Sequence, residues 1–108
     1  MFEILEEFSK IASYKDESSL AERYKEIAKQ LSCALNTNAW DGRWYKRAYT
    51  DDGDVLGSSK NEECRIDSIA QSWASLSEAG DNDKKYIAME ALEKYLINKE
   101  IGIIKFDI

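Results

Sequence analysis

The chain has 108 residues, with 15 Lys plus Arg against 21 Asp plus Glu, for a formal net charge of -6. Its 44% hydrophobic and 33% charged residues make a globular rather than a disordered composition, and the length fits one domain. The acidic balance excludes a nucleic-acid binder built on a basic face, and the absence of histidine excludes His-based nucleophile pairs and His-ligated metals.

Four stretches carry helical periodicity. In the first, Phe2, Leu5, Phe8 and Ile11 recur every three residues, widened by Ile4 and Ala12. In the second, Leu20, Tyr24, Ile27, Ala28, Leu31 and Leu35 share a face, with Glu22, Arg23, Lys25, Glu26 and Lys29 opposite. Ser19 and Glu22 have the spacing of a capping box, in which each side chain satisfies the other's orphan backbone N–H. Trp44 to Tyr49 then alternates, Asp51-Asp52-Gly53 signals a turn, and Val55-Leu56 can return as a second strand of a hairpin. The third helix places Ile66, Ile69, Ala70, Trp73 and Leu76 on one side, with Gly80 as its expected C-cap. The fourth starts from Asp81 or Asn82 and is expected to bury Ile87, Ala88, Ala91, Leu92, Tyr95 and Leu96. Ile101 to Ile108 reads as a terminal strand. The expected architecture is all-α with a small β-hairpin, and residues 1–108 form a single unit. Apolar stripes this wide and a lone Ile-rich strand need partners, so the chain reads as a slice of something larger.

No apolar run approaches the roughly 20 residues that span a bilayer, so no membrane partner is expected. Met1-Phe2-Glu3-Ile4 offers no basic region followed by an apolar core, so a signal peptide is not expected and a cytoplasmic address is. In that setting Cys33 and Cys64 are expected as buried free thiols, and two cysteines cannot make a four-thiolate zinc site. Asp51, Asp52 and Asp54 resemble half of a calcium loop, but the bidentate Glu at the required offset is missing, so no metal or other cofactor is expected.

The densest chemical constellation is Trp40-Asp41-Gly42-Arg43-Trp44-Tyr45-Lys46-Arg47. Sugar rings have apolar faces that stack on aromatic rings and hydroxyl edges that bond to carboxylates and guanidinium groups. A Trp-Asp-Gly loop among aromatics therefore suits a carbohydrate site, with Asp41 as a candidate general acid. The alternative is that Asp41 and Gly42 only form a turn and that Trp40 and Trp44 fill a core. A second constellation runs from Asn61-Glu62-Glu63 to Trp73, where Gln71 can bond a ligand or a neighbouring helix. There the acidic residues also have a purely structural use beside a helix N-terminus.

The run Asn38-Ala39-Trp40-Asp41-Gly42-Arg43-Trp44-Tyr45-Lys46-Arg47-Ala48-Tyr49, with Asp51-Asp52-Gly53 and Leu56-Gly57-Ser58, resembles the family 94 glycoside phosphorylases. So does Cys64-Arg65-Ile66-Asp67-Ser68-Ile69-Ala70-Gln71-Ser72-Trp73, whose wording is nearer to the β-1,2-glucan branch than to cellobiose phosphorylase. The resemblance implies part of an (α/α)6 barrel and a substrate that is a β-linked, here β-1,2-linked, glucan oligosaccharide. It also implies an inverting reaction in which inorganic phosphate is co-substrate. Asp41 is the position matched to the family's general acid, Trp40 and Trp44 to a sugar platform, and Arg43, Arg47 and Gln71 to substrate or loop support. The family's phosphate clamp uses histidine and other residues that this chain lacks. A general acid contributes roughly 10²–10⁴-fold and only with substrate held in place, so the chain is expected to be inert alone. A freestanding carbohydrate-binding or oligomerising module, its open faces covered in a homo-oligomer or by the rest of a barrel, is the alternative reading. A trehalase- or glucoamylase-like hydrolase segment fits the Glu62–Trp73 wording poorly.

Overall fold

The computed structural model describes residues 1–104. In chain order it comprises α1 (Phe2–Tyr14), α2 (Ser18–Ala34), a π-helical turn (Leu35–Ala39), β1 (Ala48–Tyr49), β2 (Val55–Leu56), α3 (Ser68–Leu76), α4 (Asn82–Leu96), β3 (Ile97–Asn98) and β4 (Ile103–Ile104). The expected all-α class with a small hairpin is what the chain adopts. α1 packs on α2 and α3 on α4, each pair joined by a short turn. Asp16, at φ 59, turns the chain between α1 and α2 in the left-handed region that Asp tolerates better than most residues.

The expected hairpin forms, with Ala48 opposite Leu56 and Tyr49 opposite Val55, and Gly53 supplies a positive φ of 90 in its turn. Its first strand is far shorter than the alternation predicts. Trp44 and Tyr45, expected on opposite faces, are both buried, because they belong to a loop that dives into the core. A second antiparallel hairpin, Ile97–Asn98 with Ile103–Ile104, replaces the first part of the single strand expected at Ile101–Ile108. Residues 105–108 of that expectation lie outside the described residues.

Three helix ends differ from expectation. α2 begins at Ser18 with Glu17 in the cap position and no side-chain cap, so Ser19 lies inside the helix and the capping box does not form. α3 begins at Ser68, where Asp67 caps it by accepting from the Ala70 N–H. It ends at Leu76, so Gly80 is not its cap, and the left-handed residue of that turn is Glu78 at φ 60. Glycine is needed at position 80 for space: a Cβ there would lie 2.7 Å from the Tyr45 hydroxyl oxygen and 3.1 Å from the Ala74 carbonyl oxygen. α4 starts from Asp81, as expected.

The core gathers where the loop after α2 meets α3 and α4: Trp44, Tyr45, Ile66, Ala74, Ala88, Leu92 and Leu96 are buried, with Leu35, Ala39, Trp40 and Ala91 packed around them. The expected buried faces are only partly used. α3 turns Gln71 and Ala74 inward and leaves Ile69, Trp73 and Leu76 exposed. α1 buries Ser9 and Ala12 while Phe8 and Ile11 face outward, and on α4 Ile87 and Tyr95 are exposed. The physical reason is lack of a partner: each apolar stripe is wider than the single helix packed against it can cover. The Cα radius of gyration, 16.3 Å over extents of 51 × 36 × 21 Å, exceeds the roughly 13 Å of a compact domain of this length. Cys33 and Cys64 are unbridged but exposed rather than buried, because both fall outside the small core. Among the described residues no helix is long and apolar enough to cross a membrane.

Candidate functional site

The Trp40–Tyr45 loop leaves the π-helical turn and folds back on itself. Trp40 and Tyr45 pair as an isolated antiparallel bridge, while the Asp41 N–H donates to the Trp44 carbonyl at 3.1 Å and the Lys46 N–H to the Ala39 carbonyl at 2.7 Å. Gly42, at φ 104, allows the reversal. The Asp41 carboxylate organises this turn from inside. Its Oδ1 accepts the backbone N–H groups of Arg43 (2.8 Å) and Trp44 (3.1 Å). Its Oδ2 accepts the Ser58 hydroxyl (3.1 Å) and the Ser59 N–H (2.7 Å). One side chain thus ties the Trp40 loop to the segment that follows the β1–β2 hairpin.

That bonding fixes its protonation. Partial burial favours the neutral acid, but the N–H groups of Ser59, Arg43 and Trp44 outweigh it and hold the Asp41 carboxyl below its usual value of 3.8. A general acid at neutral pH needs the opposite: a carboxyl group raised toward the working pH and free to face a leaving oxygen. The geometry of Asp41 favours a loop staple over the proton donor that the resemblance implies.

The other expected site residues separate into two groups. Trp40 is half-buried, with Tyr45 edge-on at 5.1 Å and the Lys84 ammonium 5.8 Å over its ring, and it lines an open cleft beside the β1–β2 hairpin. Arg43 sits at the turn with its side chain exposed, and Arg47 is held 3.4 Å from Asp67, an exposed ion pair of small energetic value. Trp44 and Gln71 are not available to a ligand. Trp44 is buried edge-on to Tyr95 at 5.6 Å, and its indole N–H donates to the carbonyls of Gly57 (3.1 Å) and Arg65 (2.8 Å). Gln71, fully buried, accepts the Tyr45 N–H at 2.8 Å and donates to the carbonyls of Tyr45 (2.8 Å) and Asp67 (3.0 Å). Its amide serves Tyr45 as a third strand would, which positions the loop rather than a substrate.

Sequence reasoning missed Asn36. Its Nδ2 donates to the carbonyls of Ser32 (2.8 Å) and Ala79 (3.0 Å), and its Oδ1 accepts the Tyr45 hydroxyl (2.7 Å) and the Asp81 N–H (2.9 Å). The end of α2, the core loop and the start of α4 meet at this one amide. Burial and the Asp81 charge push the Tyr45 hydroxyl up to about 12, so it stays a neutral donor to Asn36. The available signal was a polar residue one position past Leu35 on an otherwise apolar helical face. Among the described residues no group of three or more His, Cys, Asp and Glu side chains is arranged to hold a metal ion.

Comparison with known proteins gives this loop its context. Residues 1–106 match the catalytic domain of the glycosyl hydrolase 94 superfamily. The chain belongs to that family. Its relatives include the cyclic β-(1,2)-glucan synthase NdvB of Rhizobium meliloti, 45% identical over 91 residues that make up 84% of this chain and 3% of NdvB. They also include the cellobionic acid phosphorylase of Neurospora crassa, 33% identical over 99 residues (92% of this chain, 12% of the relative). A third is the N,N'-diacetylchitobiose phosphorylase of Vibrio furnissii, 30% identical over 99 residues (90% and 12%). The chain therefore spans only a small part of each relative's length. Glycosyl hydrolase 94 enzymes are (α/α)6 barrels, and the four helices and two small hairpins described here are compatible with part of one. The general class, glycoside phosphorylases together with a β-glucan synthase, is that of its relatives.

Proposed function

We propose that this chain is the part of a glycoside phosphorylase that presents the Trp40 loop to a β-linked glucan. The observation that carries the reading is the family match over residues 1–106, with the Trp40–Arg47 run inside it. Similarity to a cyclic β-(1,2)-glucan synthase favours β-1,2 linkages. In the inverting reaction, inorganic phosphate attacks the anomeric carbon from the face opposite the departing oxygen, the glycosidic bond breaks, and that oxygen takes a proton. The products are a sugar 1-phosphate and a shortened glucan. Phosphate is already anionic, so no second carboxylate is needed to activate it as one would be for water. Asp41, ionised by its four donors, holds the loop in register, and the proton comes from another group. Alone, the chain is expected to be inert, because a proton donor or phosphate acts only where the substrate is held in place.

The test is a graft of residues 1–106 into the matching segment of the Neurospora crassa cellobionic acid phosphorylase, with sugar 1-phosphate release from cellobionic acid and phosphate as the readout. Release by the chimera is the expected result, and a folded chimera without release would contradict the proposal. The exposure of Trp73 (58%) and Leu76 (70%) favours a second reading, an oligomerising module that covers this face with a second copy. Light scattering that shows a stable monomer would remove it.

A further inference from the structure

The cleft between the Trp40 loop and the β1–β2 hairpin has a volume of about 620 Å³, within the range of roughly 300–1,000 Å³ typical of small-molecule sites. Its apolar lining is Trp40, Val55 and Leu56, and its polar lining includes Asp54, Lys60 and Asn61. Two features set it apart from an ordinary surface groove. The first is a wall held before any ligand arrives. Asp41 bonds Ser58 and Ser59, while Asn61 accepts the Ser58 N–H at 2.8 Å and donates to the Val55 carbonyl at 2.8 Å. Trp40 is meanwhile fixed between Tyr45 and Lys84. A preformed site avoids the entropy of ordering its walls on binding. The second is that the charged ends of Asp54 and Lys60 have no partner among the described residues: the Asp54 backbone is engaged with Thr50 and the Lys60 N–H with the Ser58 hydroxyl, but neither side chain is.

We propose that this cleft holds one hexosyl ring of a neutral β-linked oligosaccharide, with Trp40 against the apolar face of the ring. Lys60 donates to a ring hydroxyl and Asp54 accepts from another. The charge pattern selects the class. An anionic ligand would meet Asp54 and Asp41, and a cationic one would meet Lys46 and Lys60, whereas a neutral polyol satisfies both signs because each hydroxyl can donate and accept. The sugar linkage rests on the family reading, while the cleft and its polarity do not. The consequence is a specificity role for the β1–β2 hairpin: Asp54 in its turn and Lys60 in the segment after its second strand supply the hydroxyl partners, and Asp41, bonded to Ser58 and Ser59, is the positioning residue for that segment.

The experiment is a nitrogen–proton correlation NMR titration of the full chain with a β-1,2-linked glucotriose, with maltotriose and inorganic phosphate as comparison ligands. The expected result is saturable shifts of the Trp40 indole N–H and of the amides from Asp54 to Asn61, largest for the β-1,2 sugar. A chain carrying Asp54→Asn and Lys60→Gln, changes to two side chains without partners among the described residues, should keep its spectrum and bind about tenfold more weakly. Trp40→Ala should abolish the shifts. Sugar-induced shifts confined to the Trp73–Ser77 face would overturn the cleft and leave the family reading intact. Cleft shifts of equal size with maltotriose would overturn the β-linkage and keep the cleft. Unchanged affinity in the doubly substituted chain would overturn the roles of Asp54 and Lys60. A spectrum unmoved by any sugar would overturn the proposal outright.

Discussion

Replacing Gln71 with leucine isolates the link between α3 and the core loop. Leucine nearly fills the same volume, so the change removes hydrogen bonds with little cavity. Three are lost: Tyr45 N–H to Gln71 at 2.8 Å, Gln71 to the Tyr45 carbonyl at 2.8 Å, and Gln71 to the Asp67 carbonyl at 3.0 Å. The Asp67 carbonyl lies toward the surface and can turn to water. The two Tyr45 backbone groups cannot, since Tyr45 is 1% exposed and Gln71 fully buried. An orphaned buried backbone group costs about 1–3 kcal/mol, so the pair sets an expected loss of about 2–6 kcal/mol. At this chain length each kcal/mol lowers Tm by about 4–8 °C. Urea unfolding followed by tryptophan fluorescence gives the free energy, and hydrogen exchange at the Tyr45 amide reports the bond itself. A loss below about 1 kcal/mol with an unchanged Tyr45 exchange rate would refute the claim that Gln71 pairs with this backbone.

Gly80→Ala is expected to cost about 1–3 kcal/mol by urea unfolding, because the new Cβ would lie 2.7 Å from a Tyr45 hydroxyl that Asn36 holds in place. Gly57→Ala should cost more, since it adds a left-handed φ of 76 to an approach of 2.8 Å to the Arg47 backbone nitrogen. Because its folded pKa is depressed, Asp41 contributes stability that is present above the unfolded value and lost as pH falls through the folded one. Wild type should therefore lose stability below about pH 4 more steeply than Asp41→Asn, as seen in pH-dependent melting. Trp44→Phe keeps the edge contact with Tyr95 but removes the indole N–H that donates to the Gly57 and Arg65 carbonyls, an expected loss of about 1–2 kcal/mol in the same unfolding assay.

The helices were legible in the sequence because a repeat near 3.6 survives whatever packs against it. Which face each one buries was not. Ile69, Trp73 and Leu76 form a regular apolar stripe, yet α3 turns the opposite Gln71 and Ala74 inward, and no pattern within nine residues distinguishes a stripe that is covered from one left open. The Trp40–Arg47 run stood out by residue type alone, but type did not separate Trp40, which lines a cleft, from Trp44, which is core. That difference lies in partners distant in sequence, Gly57 and Arg65 for one indole and Tyr95 for its ring. The same holds for Asp41, whose carboxylate suits acid catalysis until Ser58 and Ser59 are brought to it. The sequence leaves Gln71 open between a ligand and a structural partner, and gives Asn36 no role, because a polar side chain inside an apolar face shows its purpose only once its partners are placed.

The most direct measurement of the central claim is calorimetric titration of the purified chain with β-1,2-linked gluco-oligosaccharides and with their α-1,4-linked counterparts. The expected result is binding of the β-1,2 series with at least tenfold preference, sensitive to Trp40→Ala, with no glucose 1-phosphate formed when phosphate is added. Equal or stronger binding of the α-1,4 series, or heat from neither, would contradict the assignment of this loop to a β-linked glucan.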